Sequence, residues 1–355
     1  MPHLATIGDR RSAIDASLPD TPELAAVKRA LLQKYRRPGA AAGARPEVME
    51  PARVAADAAL ASSTRTPVIP LQPGGSKRPF FYLHVHWQGG AFYCFSLARA
   101  LGPDQPFHIL DPYRFDGLSA PPSIEAMAAE YVATMRRIQP EGPYAIGAFC
   151  GASLYAYEMA QQLRAQGQKI DLLLFIDPMA GPIRSMRAMG VTIRRVGRLL
   201  GVGEGRQLNL FLSLRFISRK IRRARDEYTD HADRLMREWR AKHPRRLSPL
   251  PAAGAMRQDW LAVFIWAVSG YAPRPYRGKV TYLFARENHD RRKLWWGQVR
   301  PSDGVDIRLT PGTHESCRTD HLDDLAEQIR SCLSEREASE RWPASEPAPA
   351  ATPAN

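Results

Sequence analysis

The sequence predicts an α/β protein with a mainly parallel central sheet, helices on both faces and a helical lid inserted into the pattern. Three observations carry that prediction. Apolar, strand-like runs alternate with amphipathic helical stretches from residue 78 to 177, and the alternation resumes from 277 to 333. Between them, at about 180–270, lies a basic helical segment that interrupts it. Parallel strands need crossover helices, so a strand–helix–strand order of this length argues for such a sheet.

Taken in order, "TPELAAVKRALLQKYRR" (21–37) reads as a short amphipathic helix with Thr21 as N-cap and Pro22 at the first helical position. With the Ala-, Pro- and Gly-rich stretch after it, this makes 1–65 a peripheral helix and linker. The folded domain is expected at 66–333. "RPFFYLHV" (78–85) is a strand ending at "HWQGG", followed by the helix "AFYCFSLARAL" (91–101), the strand "FHILDP" (107–112) and the helix "SIEAMAAEYVATMRRIQ" (123–139). "YAIGAF" (144–149) is a strand that breaks at Cys150 into the helix "SLYAYEMAQQLRAQG" (153–167), and "KIDLLLFID" (169–177) is the next strand. In the insertion, Arg and Leu or Phe alternate at helical intervals in "LFLSLRFISRKIRRARDEY". Strands "RGKVTYLFA" (277–285) and "VDIRLT" (305–310) and the helix "LDDLAEQIRSCL" (322–333) complete the domain. The tail, 334–355, is disordered by composition.

A chain of 355 residues that is 44% hydrophobic can bury one large core. Its apolar runs are far shorter than the roughly 20 residues a bilayer-spanning helix needs. The N-terminus has no apolar h-region and the four cysteines show no framework spacing, so a cytoplasmic, reduced protein is expected. The formal net charge is +14, and 184–246 holds 18 Lys or Arg against 6 Asp or Glu. Nucleic acid, an anionic membrane surface or an acidic protein partner would each be drawn to that stretch. No nucleic-acid reading motif accompanies it.

In open α/β sheets the reacting groups gather beyond the carboxyl ends of the strands, which is where "YAIGAF" delivers Cys150. A strand that turns straight into a helix forces the residue between them into a tight conformation and needs small neighbours. Here those are Ala148 and Ala152, with Gly147 and Gly151 interleaved. The turn lifts the thiol above the sheet and aims a helix N-terminus at it, which favours thiolate and lets the Gly151 N–H stabilise an oxyanion. From this segment alone, a buried and inert cysteine is an equal alternative. Two further residues move the balance. Asp177 ends the next strand in "LFIDPMAGP", and His314 follows the last strand in "LTPGTHESC". The chain order nucleophile, acid, base is that of an α/β-hydrolase.

The segments "PVIPLQPGGSKRPFFYLHVHWQGGAFYCFSLARALGPDQPFHILD", "PYAIGAFCGASLYAYEMAQQLRAQGQKIDLLLFIDP", "YAPRPYRGKVTYLFA" and "WWGQVRPSDGVDIRLTPGTHESCRTDHLDDLAEQI" appear in that order. Over roughly 65–333 they resemble the thioesterase domains that end nonribosomal peptide and polyketide assembly lines. The resemblance implies Cys150 as nucleophile, Asp177 as orienting acid and His314 as general base, with Trp87 or Gln88 in "HWQGG" supplying the second oxyanion donor. It also implies an acidic carrier protein as partner and a substrate presented on its phosphopantetheine arm, with no bound cofactor or metal. Arg219, Lys220, Arg222 and Arg223, the densest basic cluster, become the candidate docking face. This sequence departs from the family in using Cys for Ser, Ala148 and Ala152 for the flanking glycines, Trp87 for a usual Pro, and the polar "ESC" after the histidine.

A thioester on Cys150 would form from a carrier thioester with little change in free energy. It would remain more reactive toward amines and thiols than toward water. The expected activity is therefore transfer of an acyl or aminoacyl group to a chosen nucleophile, by transacylation, amide formation or cyclisation, in natural-product biosynthesis. Hydrolytic release or editing of carrier-bound chains is the alternative, and an inactive docking or scaffold subunit the alternative of another class. Two local ambiguities stand: Glu287 or Asp290 could supply the carboxylate in place of Asp177, and His314, Cys317 and His321 have spacings open to metal ligation.

Overall fold

Parallel strands buried on both faces need continuous apolar runs, and the segments that have them form the middle of the sheet. The protein, a computed structural model, is described over residues 65–84, 92–115, 117–178, 184–225, 251–287 and 304–340. The expected helix at 21–37 and linker to 64 lie outside the described residues.

Strands β1 (Val68–Gln72), β2 (Phe80–Leu83), β3 (Phe107–Leu110), β4 (Tyr144–Phe149), β5 (Ile170–Ile176), β6 (Val280–Ala285) and β7 (Val305–Thr310) make one sheet. Its order is β1-β3-β2-β4-β5-β6-β7. β1 is antiparallel to β3, and every other pairing is parallel. This is the α/β-hydrolase fold. β1 escaped the sequence reading because "VIPLQ" carries Pro70, which argues against a central strand. At the sheet's edge the missing N–H is tolerated, and the pairing with β3 shifts register between Pro70 and Gln72.

Side chains alternate between two cores along each strand, as a period of two dictates. Ile146, Ala148, Leu173, Phe175 and Tyr282 join the core under α2 (Ile124–Ile138) and α3 (Ser153–Ala165). Phe80, Tyr82, Phe149, Leu174 and Leu283 face the other way, toward α1 (Phe92–Leu101) and α8 (Leu322–Glu340). α2 starts at the Ser123 cap, whose side chain accepts from the Ala126 N–H.

Helices α4 (Arg184–Leu199), α5 (Glu204–Arg225), α6 (Ala253–Arg257) and α7 (Trp260–Ser269) intervene between β5 and β6. They have a small core of their own around Leu208, Phe211, Leu212 and Trp266. Arg194 lies over the Trp266 ring at 3.7 Å and donates to the Trp266 carbonyl at 2.8 Å. Burial there lowers its pKa to about 10.

One boundary needs correction. The expected disordered tail begins at 334, but α8 continues to Glu340. "SEREASE" is rich in helix formers, and Glu335 is tied back to β7 through Arg308 and to Ser331 at 2.8 Å.

Gly147 shows how tightly β4 is packed: a Cβ placed there would lie 2.4 Å from Phe80 Cζ. Gly147→Val should therefore destabilise the protein by about 1–3 kcal/mol, read as a lower urea midpoint at unchanged slope. An unaltered midpoint would contradict this packing.

Candidate active site

Phe149 of β4 lies beside Ile176 of β5 in parallel register. The next residues, Cys150 and Asp177, therefore leave the same edge of the sheet as neighbours. Both adopt left-handed backbone, with φ of 55° and 38°. For residues with a side chain such conformations cost on the order of 1–3 kcal/mol and persist only where the surroundings impose them. At Cys150 the surroundings are Ala148 and Ala152, 0% and 1% exposed, which leave no room for larger groups.

From Cys150 the chain makes a single 3-10 turn, Cys150–Ala152, and enters α3. Neither start is capped by a side chain, and neither first turn contains an acidic residue. The opening N–H groups are thus not consumed by a local carboxylate or hydroxyl, and the positive end of the helix faces the sulfur unscreened. Gly151 is buried within this turn.

His314 arrives from β7 on a tight loop. Gly312 takes φ 87°, and a Cβ there would lie 2.4 Å from Ser316 Oγ, so glycine is required. The Ser316 hydroxyl accepts from the Thr313 N–H at 2.8 Å. This turn places His314 Nδ1 in a hydrogen bond with Asp177 Oδ2. The Phe149 ring stacks against the imidazole with centroids 4.7 Å apart. Cys150 lies near enough on the other side to act on the imidazole electrostatically. Burial alone would depress the histidine, but the bond to Asp177 and the nearby Cys150 overcome it and raise its pKa to about 10. Carboxylate and thiol are therefore both gathered beside the imidazole.

The four thiols are not alike. Cys94, Cys317 and Cys332 are buried, whereas Cys150 is partly exposed. Burial raises all three buried thiols, Cys317 to about 12 and Cys332 to about 11.

Two of the three candidate carboxylates can be compared by position. Asp177 is 5% exposed and holds His314, while Glu287 is exposed and serves the loop through its backbone, donating to the Gly312 carbonyl at 3.3 Å. Asp290 lies outside the described residues, as do Trp87 and Gln88. Of the basic cluster, Arg219 lies 4.0 Å from Asp259, which Arg215 also engages at 3.0 Å. The side chains of Lys220, Arg222 and Arg223 are outside the described set. The metal alternative does not assemble. His314 faces Asp177, Cys317 Sγ points to the His314 carbonyl at 3.5 Å, and His321 Nδ1 lies 3.4 Å from Asp324. Among the described residues no group of three or more metal-ligating side chains converges.

Two supporting residues were missed in the sequence. Phe149 reads there as one more strand residue, yet it forms the imidazole's stacking face. Arg318 pairs with Glu315 and lies over the Phe149 and Tyr93 rings at 5.2 and 5.3 Å. Its spacing from His314 in "HESCR" was the available signal. His84, at the end of β2, is buried 3.3 Å from Asp111 at the end of β3.

The Thioesterase domain family profile matches residues 83–333, and the chain belongs to that family. Over 284 residues the chain is 26% identical to a Paxillus involutus protein named inactive atromentin synthetase invA6, covering 76% of this chain and 28% of that relative. Over 107 residues it is 40% identical to the nonribosomal peptide synthetase btyA of Aspergillus terreus, covering 29% of this chain and 11% of the relative. The chain thus spans under a third of the length of these curated relatives. Among solved structures, the NocB thioesterase domain from the nocardicin cluster is 23% identical, with a TM-score of 0.48, covering 75% of this chain and 98% of that one. Among the described residues no helix is long and apolar enough to cross a membrane.

Because His314 is raised above its ordinary 6.5, its charge contributes stability that is complete below about 6.5 and is lost as pH climbs through about 10. The imidazole C2 proton should titrate by NMR near 10 in the wild type, and nearer the ordinary histidine value in Asp177→Asn. The wild type's advantage in Tm over that variant should be largest below pH 6.5 and shrink on the alkaline side. A wild-type midpoint near 6.5 would refute the coupling.

Proposed function

We propose that this chain is a cysteine-dependent acyl-transferring thioesterase. In this reading Cys150 is the nucleophile, His314 the general acid–base and Asp177 the group that orients and charges the imidazole. The observation that carries it is the left-handed Cys150 at the carboxyl end of β4, beside the hydrogen-bonded pair of His314 and Asp177.

The Cys150 sulfur attacks the carbonyl carbon of an acyl thioester held on a carrier protein's phosphopantetheine arm. The Gly151 N–H and a second donor from the loop holding Trp87 and Gln88 stabilise the tetrahedral oxyanion. As it collapses, the carbon–sulfur bond to the arm breaks and the His314 imidazolium gives its proton to the departing thiolate. The acyl group now sits on Cys150 as a thioester. In the second half an amine, thiol or hydroxyl acceptor gives its proton to His314 and displaces the Cys150 sulfur. Each half exchanges one acyl bond for another and needs no external redox partner or cofactor. Water as acceptor gives hydrolysis through the same steps.

The family membership supports the thioester as substrate class. The basic helices of the insertion, acting as a lid, suit an acidic carrier and the phosphate of its arm, with Arg219, Lys220, Arg222 and Arg223 as docking residues. "Inactive" belongs to the names of invA6 and invA3. In this chain the His314–Asp177 hydrogen bond, with Cys150 acting on the same imidazole, favours an active site over a silent docking subunit.

Incubated with acyl-loaded carrier, the wild type should gain the acyl mass on Cys150 by intact mass spectrometry, and Cys150→Ala should gain none. An equal adduct in the variant would remove Cys150 from the reaction. Asp177→Asn should lower kcat/KM by about 10²–10⁴-fold, whereas Glu287→Gln should stay within about twofold. The reverse ranking would reassign the acid.

A further inference from the structure

A single hydrogen bond does not fix a ring. The contact between His314 Nδ1 and Asp177 Oδ2 sets where the imidazole is attached, but the ring can still tilt about it. The side chain is partly exposed, so packing does not enclose it on every side. Yet Nε2, the nitrogen left for Cys150, is useful in one direction. The surface available to set the tilt is the Phe149 ring, stacked on the imidazole with an interplanar angle of 29°.

Phe149 is itself overlaid by a cation. Arg318 returns from the same loop as His314 through the 3-10 turn Ser316–Arg318, where the Cys317 N–H donates to the Thr313 carbonyl at 3.0 Å. Cys317 is buried and sinks that turn into the core under α1 and α8. Arg318 is thereby laid across two rings from different elements, Phe149 at the end of β4 and Tyr93 of α1, at 5.2 and 5.3 Å. The two rings lie 6.2 Å apart, tilted at 59°. Tyr93 is fixed in turn, its hydroxyl 3.1 Å from that of Tyr82 in β2.

The Arg318 side chain is 11% exposed and its partner Glu315 is 59% exposed, so the pair is anchored at the rings and meets water at the acid. Burial raises the Tyr93 hydroxyl and the Cys317 thiol, and the Arg318 charge opposes burial at both. The guanidinium thus acts from within the core, where a planar, weakly hydrated cation is held over ring faces more firmly than it would be in water.

We propose that Arg318 is a positioning residue for His314: by clamping Phe149 against Tyr93 it fixes the face on which the imidazole lies, and so directs Nε2 toward Cys150. The proposal rests on the acyl-transfer reading above, in which that nitrogen serves the sulfur. Arg318 acts through Phe149 and not on the reacting atoms.

Arg318→Met keeps a long apolar stem and removes the planar charge, whereas Arg318→Lys keeps the charge without the plane. Cys150 acylation by an N-acetylcysteamine acyl thioester is followed by intact mass, and the His314 C2 proton by NMR. Arg318→Met should lower the saturating acylation rate by about tenfold to a hundredfold, with the half-saturating concentration within about twofold of wild type, because the nitrogen is misdirected and the substrate is not. Arg318→Lys should recover part of the rate. A proton lying over an aromatic face is shielded, so the C2 resonance should move downfield in Phe149→Leu and in the same direction in Arg318→Met. The double variant should be close in rate to Phe149→Leu alone, since both changes act through one ring.

A C2 resonance unmoved in Arg318→Met would overturn the proposal even if Tm fell, because Arg318 would then brace the loop without orienting the ring. Losses that multiply in the double variant, or a raised half-saturating concentration at an unchanged rate, would overturn it too. If neither this thioester nor an acyl-loaded carrier acylates wild-type Cys150, the acyl-transfer reading falls, and the resonance still decides whether Arg318 holds the imidazole.

Discussion

Asp177 is fastened to two other strands' residues, and the geometry of the site depends on those fastenings. Its N–H donates to the Leu283 carbonyl at 2.8 Å, its Oδ1 accepts from the Ala285 N–H at 3.3 Å, and its Oδ2 takes His314. The first two bonds lock the residue to the neighbouring parallel strand and hold it in a left-handed conformation it would otherwise avoid. The third ties β7's loop, 137 residues further along the chain, to the same point. A carboxylate that is 5% exposed has given up most of its water. Breaking such a buried pair from one side typically costs about 3–5 kcal/mol, because the other charge is left uncompensated. The same contact that charges the imidazole therefore also keeps the loop closed against the sheet.

The loop is secured from a second direction by rings. Phe149, the last residue of β4, offers one face to His314, while Arg318 lies over it and over Tyr93 of α1. Arg318 is paired with Glu315, so its positive charge is matched locally instead of opposing the imidazolium. Strand β4 thus contributes twice, by ending at the sulfur and by placing the surface on which the imidazole rests. A change at Phe149 would act through the ring stack without altering Cys150, His314 or Asp177 themselves.

Much of this was legible in the sequence because parallel strands advertise themselves as apolar runs, and their ends fix where side chains emerge. "YAIGAF" and "VDIRLT" were read to the residue, and the bend at Cys150 followed from the small residues around it. Three kinds of feature resisted. β1 was hidden because Pro70 is a poor strand residue whose tolerance depends on being at an edge, a property of the assembled sheet. The length of α8 was hidden because its final turns are steadied by Arg308, a contact between separate elements. The choice between Asp177 and Glu287 or Asp290 was open because all follow strands in the right order. The pairing of Asp177 with His314 depends on burial and on the backbone bonds of β6, neither of which spacing encodes.

If Cys150 carries the acyl group, the use of sulfur shifts where selectivity must reside. Exchange of one thioester for another is nearly balanced in free energy, so the first half-reaction neither commits the substrate nor discriminates strongly among acyl groups. Commitment then falls to the acceptor, and discrimination to whatever surrounds the rest of the chain. Both would then be controlled from above the sheet, because the strand ends beneath are taken up by the bend at Cys150 and the histidine loop. The insertion suits that role, because its own core of Leu208, Phe211, Leu212 and Trp266 gives it a shape independent of the sheet's side chains. A lid with a separate core can change its lining residues, and so its acyl specificity, without disturbing the register that aligns Cys150 with Asp177. The rigid strand ends would then fix only where the sulfur is, and the insertion would shape what reaches it.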